Sequence, residues 1–328
     1  MKKSERFKRI IIKGDKKGLP YSKGLMTSSI MATGLEPNVS YQIAESIEDY
    51  LLANKISSIT IDELNNITFQ ILKNELGKKV AERYLRWQTL GELEKPLIIL
   101  LGGTTGVGKS TIAAEVAHRL GINRIVSTDS IREVMKAIFS RELMPFLYES
   151  SFNAHKPLTF PLPSKVDPLI IGFREQITTV DVGIRAIINR SIKEGLNLVI
   201  EGIHIVPGFM PYKNKQTDEA FIIPLVIKVE DEFLHKSHFY GREFETGGWR
   251  PFKRYLDNFS SIRRIGKYIE SLAEENDIPI IDSQNLDVSI NNIMESVINY
   301  LFSQADVNEK MKVLFKAKQK EVLDGFVY

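Results

Sequence analysis

A glycine-rich turn between an apolar run and a helix-forming segment constrains this chain more than any other feature of its sequence. Residues 103–110 fit the pattern G-x-x-x-x-G-K-[ST]. The preceding apolar run, residues 97–101, follows Pro96 and predicts a buried strand of a parallel sheet. The following segment, residues 112–120, predicts a helix closed by Gly121. This strand–loop–helix order predicts a phosphate-binding loop, and a glycine-rich turn without a ligand is the alternative.

The residue types in this turn suit the binding of a phosphate chain by backbone N–H groups. Glycines leave the backbone bare, and the N-terminus of the following helix favours an anion. The ammonium of Lys109 is predicted to reach the β- and γ-phosphates, and the hydroxyl of Ser110 to join the shell of Mg²⁺. We therefore expect ATP and Mg²⁺ as cofactors. The candidate nucleotide-binding residues are Gly103, Thr104, Thr105, Gly106, Val107, Gly108, Lys109, Ser110 and Thr111.

The composition of the chain limits the class of protein to which it can belong and the kinds of partner that it can bind. The chain has 328 residues, enough for two domains, and no cysteine, which excludes disulfides, thiolate metal sites and a cysteine nucleophile. This composition suits a cytoplasmic protein. The net charge is +3 and the lysines are dispersed, so we expect no nucleic-acid partner. No apolar segment approaches the ~20 residues of a membrane span, so we expect no membrane partner. Whether the chain forms a homo-oligomer is left open.

Residues 1–93 predict a small, mostly helical domain that opens with a strand or hairpin. Its pattern resembles an ATP-cone domain, the nucleotide-binding regulatory module of ribonucleotide reductases and their repressor. The matching segments are Ile12-Lys13, Tyr21-Ser22-Lys23 and residues 81–87. The resemblance implies that Lys13 and Lys23 contact phosphate, and solvated turn lysines are the alternative. Segment 88–96, which contains glycine, proline and charged residues, predicts the domain boundary.

Two carboxylates lie at the ends of predicted strands beyond the phosphate loop. Asp129 follows a strand predicted over 124–128, and Glu201 lies at the end of one predicted over 195–202. Ligands of open α/β sheets lie beyond the carboxyl ends of the strands, so both side chains are expected near the phosphates. Asp129 is predicted to orient an acceptor hydroxyl or take its proton, and Glu201 to serve the metal shell with Ser110. The alternatives are a helix cap for Asp129 and a turn cap for Glu201.

Three further side chains are candidates for holding the acceptor. Arg132 can clamp an anionic substrate. His204 alternates with apolar neighbours, so a substrate contact and a satisfied position in the core are equally open. Arg174 lies near the start of a helix predicted over 170–193, which follows an irregular insertion at 141–168.

A flexible basic segment follows the fourth predicted strand, residues 221–229. A predicted helix there bears Arg242, and the Gly247-Gly248 turn and Arg250 follow it. Segments in this position of phosphoryl-transfer enzymes often form a mobile lid whose arginines cover the transferred group. We expect Arg242 to act in catalysis and Arg250 to bind substrate, and a basic surface helix is the alternative.

Several segments together resemble the 2-phosphoglycerate kinase family of archaea, over nearly the whole chain to about residue 303. These segments are Pro20-Tyr21-Ser22-Lys23-Gly24-Leu25, 102–111, 127–135, Glu149-Ser150-Ser151 and 200–208. The Asp-Ser-Ile-Arg motif at 129–132 and the Glu-Gly-Ile-His-Ile-Val-Pro-Gly motif at 201–208 are more specific than the phosphate loop. The chain departs from the family pattern at Tyr148 and His155, where His and Trp are usual.

The resemblance implies a kinase that makes 2,3-diphosphoglycerate from ATP and 2-phosphoglycerate, a small phosphorylated acid. We predict an α/β P-loop NTPase domain over 94–305, with a nucleoside-kinase-like parallel sheet and helices on both faces. The ATP-cone-like domain precedes it, and a helical tail, 306–328, follows. In the predicted mechanism Arg132, with Arg174 or His204, holds the acceptor. A kinase of the same fold acting on another phosphorylated or polar small molecule, and a non-catalytic ATP-sensing regulator, are the alternatives.

Overall fold

The structure is a computed structural model that describes residues 10–13, 19–90, 95–159, 161–210 and 219–303. The chain divides into two compact units. The first comprises Met1–Leu93, Arg119–Gly121 and Met294–Tyr328, and the second comprises Glu94–His118 and Ile122–Ile293. The tail predicted at 306–328 lies outside the described residues. Because residues from Met294 onward fall in the first unit, the predicted domain limits stay predictions.

The described residues between 10 and 90, all in the first unit, form a small sheet and four helices. Its elements are β1 (Ile11–Lys13), β2 (Leu19–Pro20), α1 (Lys23–Met31), α2 (Pro37–Ala53), β3 (Ser58–Thr60), α3 (Ile61–Leu76) and α4 (Lys78–Leu90). Strand β1 pairs antiparallel with β2 and parallel with β3. A capping box between Thr60 and Glu63 sets the start of α3. Apolar residues at helical spacing along α2, among them Ile43 and Ile47, are buried in the core of this unit.

The second unit contains a parallel sheet of five strands within its described residues. The strands are β4 (Leu97–Gly102), β5 (Ile125–Ser127), β6 (Leu198–Glu201), β7 (Phe221–Lys228) and β8 (Ile280–Asp282). They lie in the order β5-β6-β4-β7-β8, and every pairing is parallel. The central strand β4 is apolar and almost completely buried, because parallel sheets are covered on both faces. The four strands predicted at 97–101, 124–128, 195–202 and 221–229 are confirmed.

Seven described helices follow the first strand of this sheet and complete the α/β class that the sequence predicts, and the last of them extends into the first unit from Met294 onward. They are α5 (Lys109–Arg119), α6 (Thr128–Ile138), α7 (Pro168–Glu194), α8 (Glu232–Glu245), α9 (Phe252–Asp257), α10 (Phe259–Glu275) and α11 (Leu286–Ser303). Val180 and Ile184 of α7 lie in one apolar cluster with Ile98 of β4. A second cluster joins Ile265 of α10 to Val226 of β7. The predicted fold class is confirmed.

Two local expectations are corrected. The hydroxyl of Ser127 accepts a hydrogen bond from the N–H of Asp129 at 3.2 Å, so Ser127 caps α6 and Asp129 lies inside its first turn. The cap that the sequence offered as an alternative role for Asp129 is therefore wrong. The insertion at 141–168 is also less irregular than predicted, because it contains short 3₁₀ turns at Pro145–Tyr148 and Ser151–Asn153.

The described helices include none with the length and apolar character of a membrane-spanning segment.

Candidate active site

A cleft of about 1010 Å³ lies in the second unit, where β4, β5 and β6 end. Parallel strands present their carboxyl ends at one edge of a sheet, and the following loops build ligand sites there. Most of the predicted site residues line this cleft: Thr105, Gly106, Gly108, Lys109, Ser110, Thr111, Asp129, Arg132, Glu201, Arg242 and Arg250. Five others are not part of its lining: Gly103, Thr104, Val107, Arg174 and His204.

The phosphate loop connects β4 to α5 through three glycines with positive φ. The φ angles are 132° at Gly103, 87° at Gly106 and 81° at Gly108. A side chain at Gly106 would also collide with the ring of Phe239, because that ring packs directly on the loop. Glycine is therefore required at this turn both for its backbone angle and for its lack of a Cβ. The loop leads directly into the N-terminus of α5, which suits a bound anion.

Lys109 is buried at the base of the cleft. Its ammonium donates a hydrogen bond to the carbonyl oxygen of Thr104 at 2.6 Å. Burial lowers the pKa of Lys109, while the nearby carboxylates of Glu201 and Asp129 act in the opposite direction. The cation thus lies within the field of both predicted carboxylates, at the place where a phosphate chain would enter.

Glu201 and Ser110 meet at the end of the sheet. Parallel pairing places Glu201 of β6 beside Leu101 of β4, two residues before the phosphate loop. The hydroxyl of Ser110 donates a hydrogen bond to Oε1 of the buried Glu201 at 3.0 Å. A hydroxyl and a carboxylate are oxygen donors of the kind that Mg²⁺ prefers. The described residues hold no cluster of three or more His, Asp or Glu side chains suited to a metal.

Asp129 and Arg132 lie on one face of the first turns of α6. Nη2 of Arg132 lies 3.8 Å from Oδ1 of Asp129 and 3.6 Å from Oε1 of Glu133. Nη1 of Arg132 donates to the carbonyl oxygen of Glu149, in the insertion, at 2.8 Å. The Asp129 side chain is 54% exposed, whereas that of Arg132 is 16% exposed. The carboxylate can thus reach a molecule in the cleft, and the guanidinium beside it is held by the insertion.

His204 is completely buried behind this face, which differs from the predicted substrate contact. Its Nε2 lies 3.2 Å from Oε1 of Gln176, and its Nδ1 lies 2.9 Å from Oγ1 of Thr128. An amide oxygen only accepts, so Nε2 carries the proton and Nδ1 accepts from the threonine hydroxyl. Burial lowers the pKa of His204 to about 3 and keeps the ring neutral. Of its two predicted roles, the satisfied core histidine is the one observed.

Gln176 extends this buried network to the insertion. Its Nε2 donates to the carbonyl oxygens of Phe146 at 2.7 Å and Glu149 at 2.9 Å. The Glu149 carbonyl is the same one that accepts from Arg132. Gly202 lets the backbone approach Thr128, since a Cβ at Gly202 would overlap its hydroxyl. The start of α6, the turn after β6, helix α7 and the insertion are therefore joined by hydrogen bonds.

Arg174 lies outside the cleft, on the exposed side of α7. Its guanidinium carbon is 5.5 Å from the centre of the Phe209 ring. The structure therefore does not bring Arg174 together with Arg132, as the sequence predicted for the acceptor site. Arg242 and Arg250 do line the cleft, on either side of a turn in which Gly247 and Gly248 both have positive φ. Their action as a mobile lid stays a prediction.

Helix α8 contacts the phosphate loop through two histidines that sequence reasoning missed. Nε2 of His235 lies 2.8 Å from the carbonyl oxygen of Thr105. Nδ1 of His238 lies 2.8 Å from the carbonyl oxygen of Gly106. The only sequence signal for them is two histidines at i and i+3, which puts both on one face of the helix. Gln176 had a similar weak signal, as an amide among the apolar inner positions of α7.

Comparisons with known proteins agree with this geometry. A curated 2-phosphoglycerate kinase from Methanothermobacter thermautotrophicus is 42% identical over 286 residues, which cover 87% of this chain and 92% of that protein. One from Methanopyrus kandleri is 41% identical over 297 residues, which cover 90% of this chain and 88% of that protein. One from Pyrococcus horikoshii is 39% identical over 290 residues, which cover 88% of this chain and 93% of that protein. No family model matches the chain.

Solved structures are similar at a much lower level. A gluconokinase from Sinorhizobium meliloti has a TM-score of 0.37 and 14% identity, covering 63% of this chain and 94% of its own. A shikimate kinase from Acinetobacter baumannii has a TM-score of 0.37 and 15% identity, covering 66% of this chain and 97% of its own. Similarity at this level bears on no residue of the site.

Proposed function

The chain belongs to the 2-phosphoglycerate kinase family, and we propose that it transfers the terminal phosphoryl group of ATP to the free hydroxyl of 2-phosphoglycerate. The products would be ADP and 2,3-diphosphoglycerate. The hydrogen bond of 3.0 Å between Ser110 and Glu201 carries this proposal. It joins the phosphate loop to a strand-end carboxylate, in the same cleft as Asp129 and Arg132.

The residues of the loop fit a nucleotide with a divalent cation. The bare backbone at Gly106 and the N-terminus of α5 suit the phosphates, and Lys109 supplies a cation beside them. Ser110 and Glu201 would hold Mg²⁺, which neutralises charge on the β- and γ-phosphate oxygens when bound. Lys109 would leave the Thr104 carbonyl to pair with phosphate, because an anion is the stronger partner for an ammonium group.

Asp129 is proposed to orient the acceptor hydroxyl and to accept its proton as the phosphoryl group is transferred. The new bond joins the acceptor oxygen to phosphorus, and the bond from phosphorus to the ADP oxygen breaks. Arg132, Arg242 and Arg250 line the same cleft and are proposed to bind the acceptor and cover the transferred group. An acceptor with both a phosphate and a carboxylate suits a cleft with three arginines, since bidentate pairing with either anion is strong.

A coupled assay of ADP release tests the proposal with 2-phosphoglycerate, 3-phosphoglycerate and glycerate, each at millimolar concentration. We expect 2-phosphoglycerate to give the highest kcat/KM, and phosphorus NMR to show two phosphate monoesters in the product. Turnover of another acceptor alone would favour a kinase of the same fold with a different substrate. An absence of turnover with all three would reject the proposed acceptor.

The ATP-cone-like role of the first unit also remains a proposal, and the contacts of Lys23 bear on it. Its ammonium lies 2.9 Å from Oε2 of Glu48 and 3.5 Å from Oε1 of Glu45. The hydrogen bond to Glu48 raises the pKa of Lys23. A phosphate would have to displace these carboxylates. Calorimetry of the full chain with a non-hydrolysable ATP analogue tests the role. Lys23→Met should reduce the number of analogue molecules bound per chain only if the lysine contacts phosphate.

A further inference from the structure

The phosphate loop is held by donors from two other elements. His235 and His238 of α8 contact the carbonyl oxygens of Thr105 and Gly106, each at 2.8 Å. The hydroxyl of Ser283, directly after β8, donates to the carbonyl oxygen of Val107 at 2.8 Å. Three consecutive carbonyl groups of the loop are thus engaged by side chains from outside it.

We propose that His235, His238 and Ser283 are positioning residues that aim the N–H groups of the phosphate loop at the nucleotide phosphates. A trans peptide unit is planar, and its C=O and N–H groups point in opposite directions. Holding the carbonyl groups of residues 105–107 toward α8 and the end of β8 therefore turns the N–H groups of residues 106–108 in the opposite direction. This inference rests on the proposed nucleotide site and names the groups that preorganise it.

The tautomers of both histidines follow from their partners. A carbonyl oxygen only accepts, so Nε2 of His235 and Nδ1 of His238 each carry a proton. The other nitrogen of His235, which is unprotonated in this tautomer, is buried without a hydrogen-bond partner. Burial lowers the pKa of His235 to about 4, in agreement with a neutral ring in one fixed tautomer.

Packing fixes the donors as firmly as their hydrogen bonds do. The His235 ring stacks on Phe239 with centroids 5.2 Å apart and meets Phe259 edge-on at 5.3 Å. Phe239 in turn packs on Gly106, where a Cβ would collide with it. One face of α8 therefore contacts the loop through residues at i, i+3 and i+4. A loop held in this way does not have to reorganise when an anion binds, which is the general source of affinity in preorganised sites.

The same face of α8 connects the loop to the predicted lid. Arg242 lies one helical turn beyond His238, and both line the cleft. Arg242 therefore follows the loop-contacting residues on the same face of α8. Ser283 is expected to contribute less than the histidines, because its single proton is shared with the carbonyl oxygen of Lys228 at 3.0 Å.

Matched substitutions separate the donor from the ring. His238→Leu removes the donor, whereas His238→Asn keeps an amide N–H at the position of Nδ1. For the buried His235, Gln retains a donor at the position of Nε2 and Leu removes it. His118→Leu, an exposed histidine on α5, serves as the control for loss of an imidazole.

The measurement is the Kd of a non-hydrolysable ATP analogue with Mg²⁺, by calorimetry on the full chain without acceptor. We expect His238→Leu to raise this Kd about three- to tenfold, the loss of one hydrogen bond, and His238→Asn to stay within about twofold of the parent. The KM for the acceptor should stay within about twofold in both. If His235→Leu fails to fold, the His238 pair and Ser283→Ala still decide the question.

An unchanged Kd in His238→Leu would overturn the inference, and so would a His238→Asn variant as weak as His238→Leu. A parent chain that binds no analogue would overturn it as well. Failure of the proposed function is distinguishable, because a chain that binds the analogue but phosphorylates no tested acid loses only its assigned substrate.

Discussion

The two sides of the cleft are built in different ways. Its nucleotide side is one continuous loop, residues 103–110. Donors from outside the loop hold its carbonyl groups and so fix the direction of its N–H groups. Its acceptor side is assembled from separate segments: Asp129 and Arg132 on α6, Glu149 in the insertion, and Gln176 on α7 behind them. Changes in the loop should therefore stay local, whereas changes behind Asp129 should spread across several segments.

The difference also concerns burial. On the acceptor side, Thr128, His204 and Gln176 form a buried chain of hydrogen bonds in which each member depends on the next. Buried networks of this kind stabilise a structure when complete and destabilise it when one member is missing. If the two sides are independent, a substitution on one side should leave ligand binding on the other side unchanged.

Replacement of Asp129 by Asn should separate the two sides most clearly. Loss of the proton acceptor is expected to lower kcat about 10²- to 10⁴-fold, the usual effect of removing a general base. The Kd of an ATP analogue should stay near that of the parent, because Asp129 lies on the acceptor side. Steady-state kinetics and calorimetry on the same preparation measure both quantities. A variant with normal turnover would remove Asp129 from the mechanism.

Glu201→Gln tests the junction between the two sides. The amide cannot supply a carboxylate to Mg²⁺ or accept equally well from Ser110, which now donates at 3.0 Å. We expect the Mg²⁺ concentration for half-maximal activity to rise about 10- to 100-fold. Titration of activity with Mg²⁺ at saturating ATP and acceptor measures it. An unshifted curve would mean that Glu201 serves only to fix the turn after β6.

Thr128→Val tests the buried network without touching the cleft lining. Valine removes the hydroxyl that donates to Nδ1 of His204, and a buried polar atom left without a partner costs about 1–3 kcal/mol. We expect a rise of about tenfold in the acceptor KM, with the Kd for the ATP analogue unchanged. Thr128→Ser keeps the hydroxyl and should restore the parent values. Equal changes in the acceptor KM and in the Kd of the ATP analogue would contradict a separate response of the two sides.

The pH dependence of stability gives the smallest expected effect. Because the pKa of His235 is lowered to about 4 when folded and is about 6.5 when unfolded, only the unfolded chain binds this proton between those values. Stability therefore falls as the pH falls through this range. His235→Gln should reduce the slope of unfolding free energy against pH by about one proton. Denaturant unfolding at several pH values measures the slope, and identical slopes would contradict the buried neutral ring.

Local patterns in the sequence were sufficient for the framework of the site. Apolar runs predicted the strands, and the carboxylates at their ends, Asp129 and Glu201, do line the cleft. Strand ends could be located because alternation and apolar runs are properties of neighbouring residues. The cap of α6 was misplaced by two residues, since Ser127 and Asp129 are both common cap residues and only geometry distinguishes them.

Contacts between distant segments could not be predicted in this way. His235 and Thr105 are 130 positions apart, and His204 and Gln176 are 28 apart. No local pattern relates such pairs, because each partner is chosen by the packing of helices on the sheet. Arg174 illustrates the same limit, since helical periodicity placed it on α7 without indicating that it would contact Phe209 on the surface.

The sequence by itself determined the fold class, the phosphate loop and the strand ends that carry carboxylates, because contiguous residues encode strand, turn and helix. The tertiary structure decided which side chains support the loop and which lie behind the acceptor side. Most buried polar groups in proteins are hydrogen-bonded, and the fold decides which partner each one meets. For His204 that partner is Gln176, and for the carbonyl groups of the loop the partners come from α8 and from the end of β8.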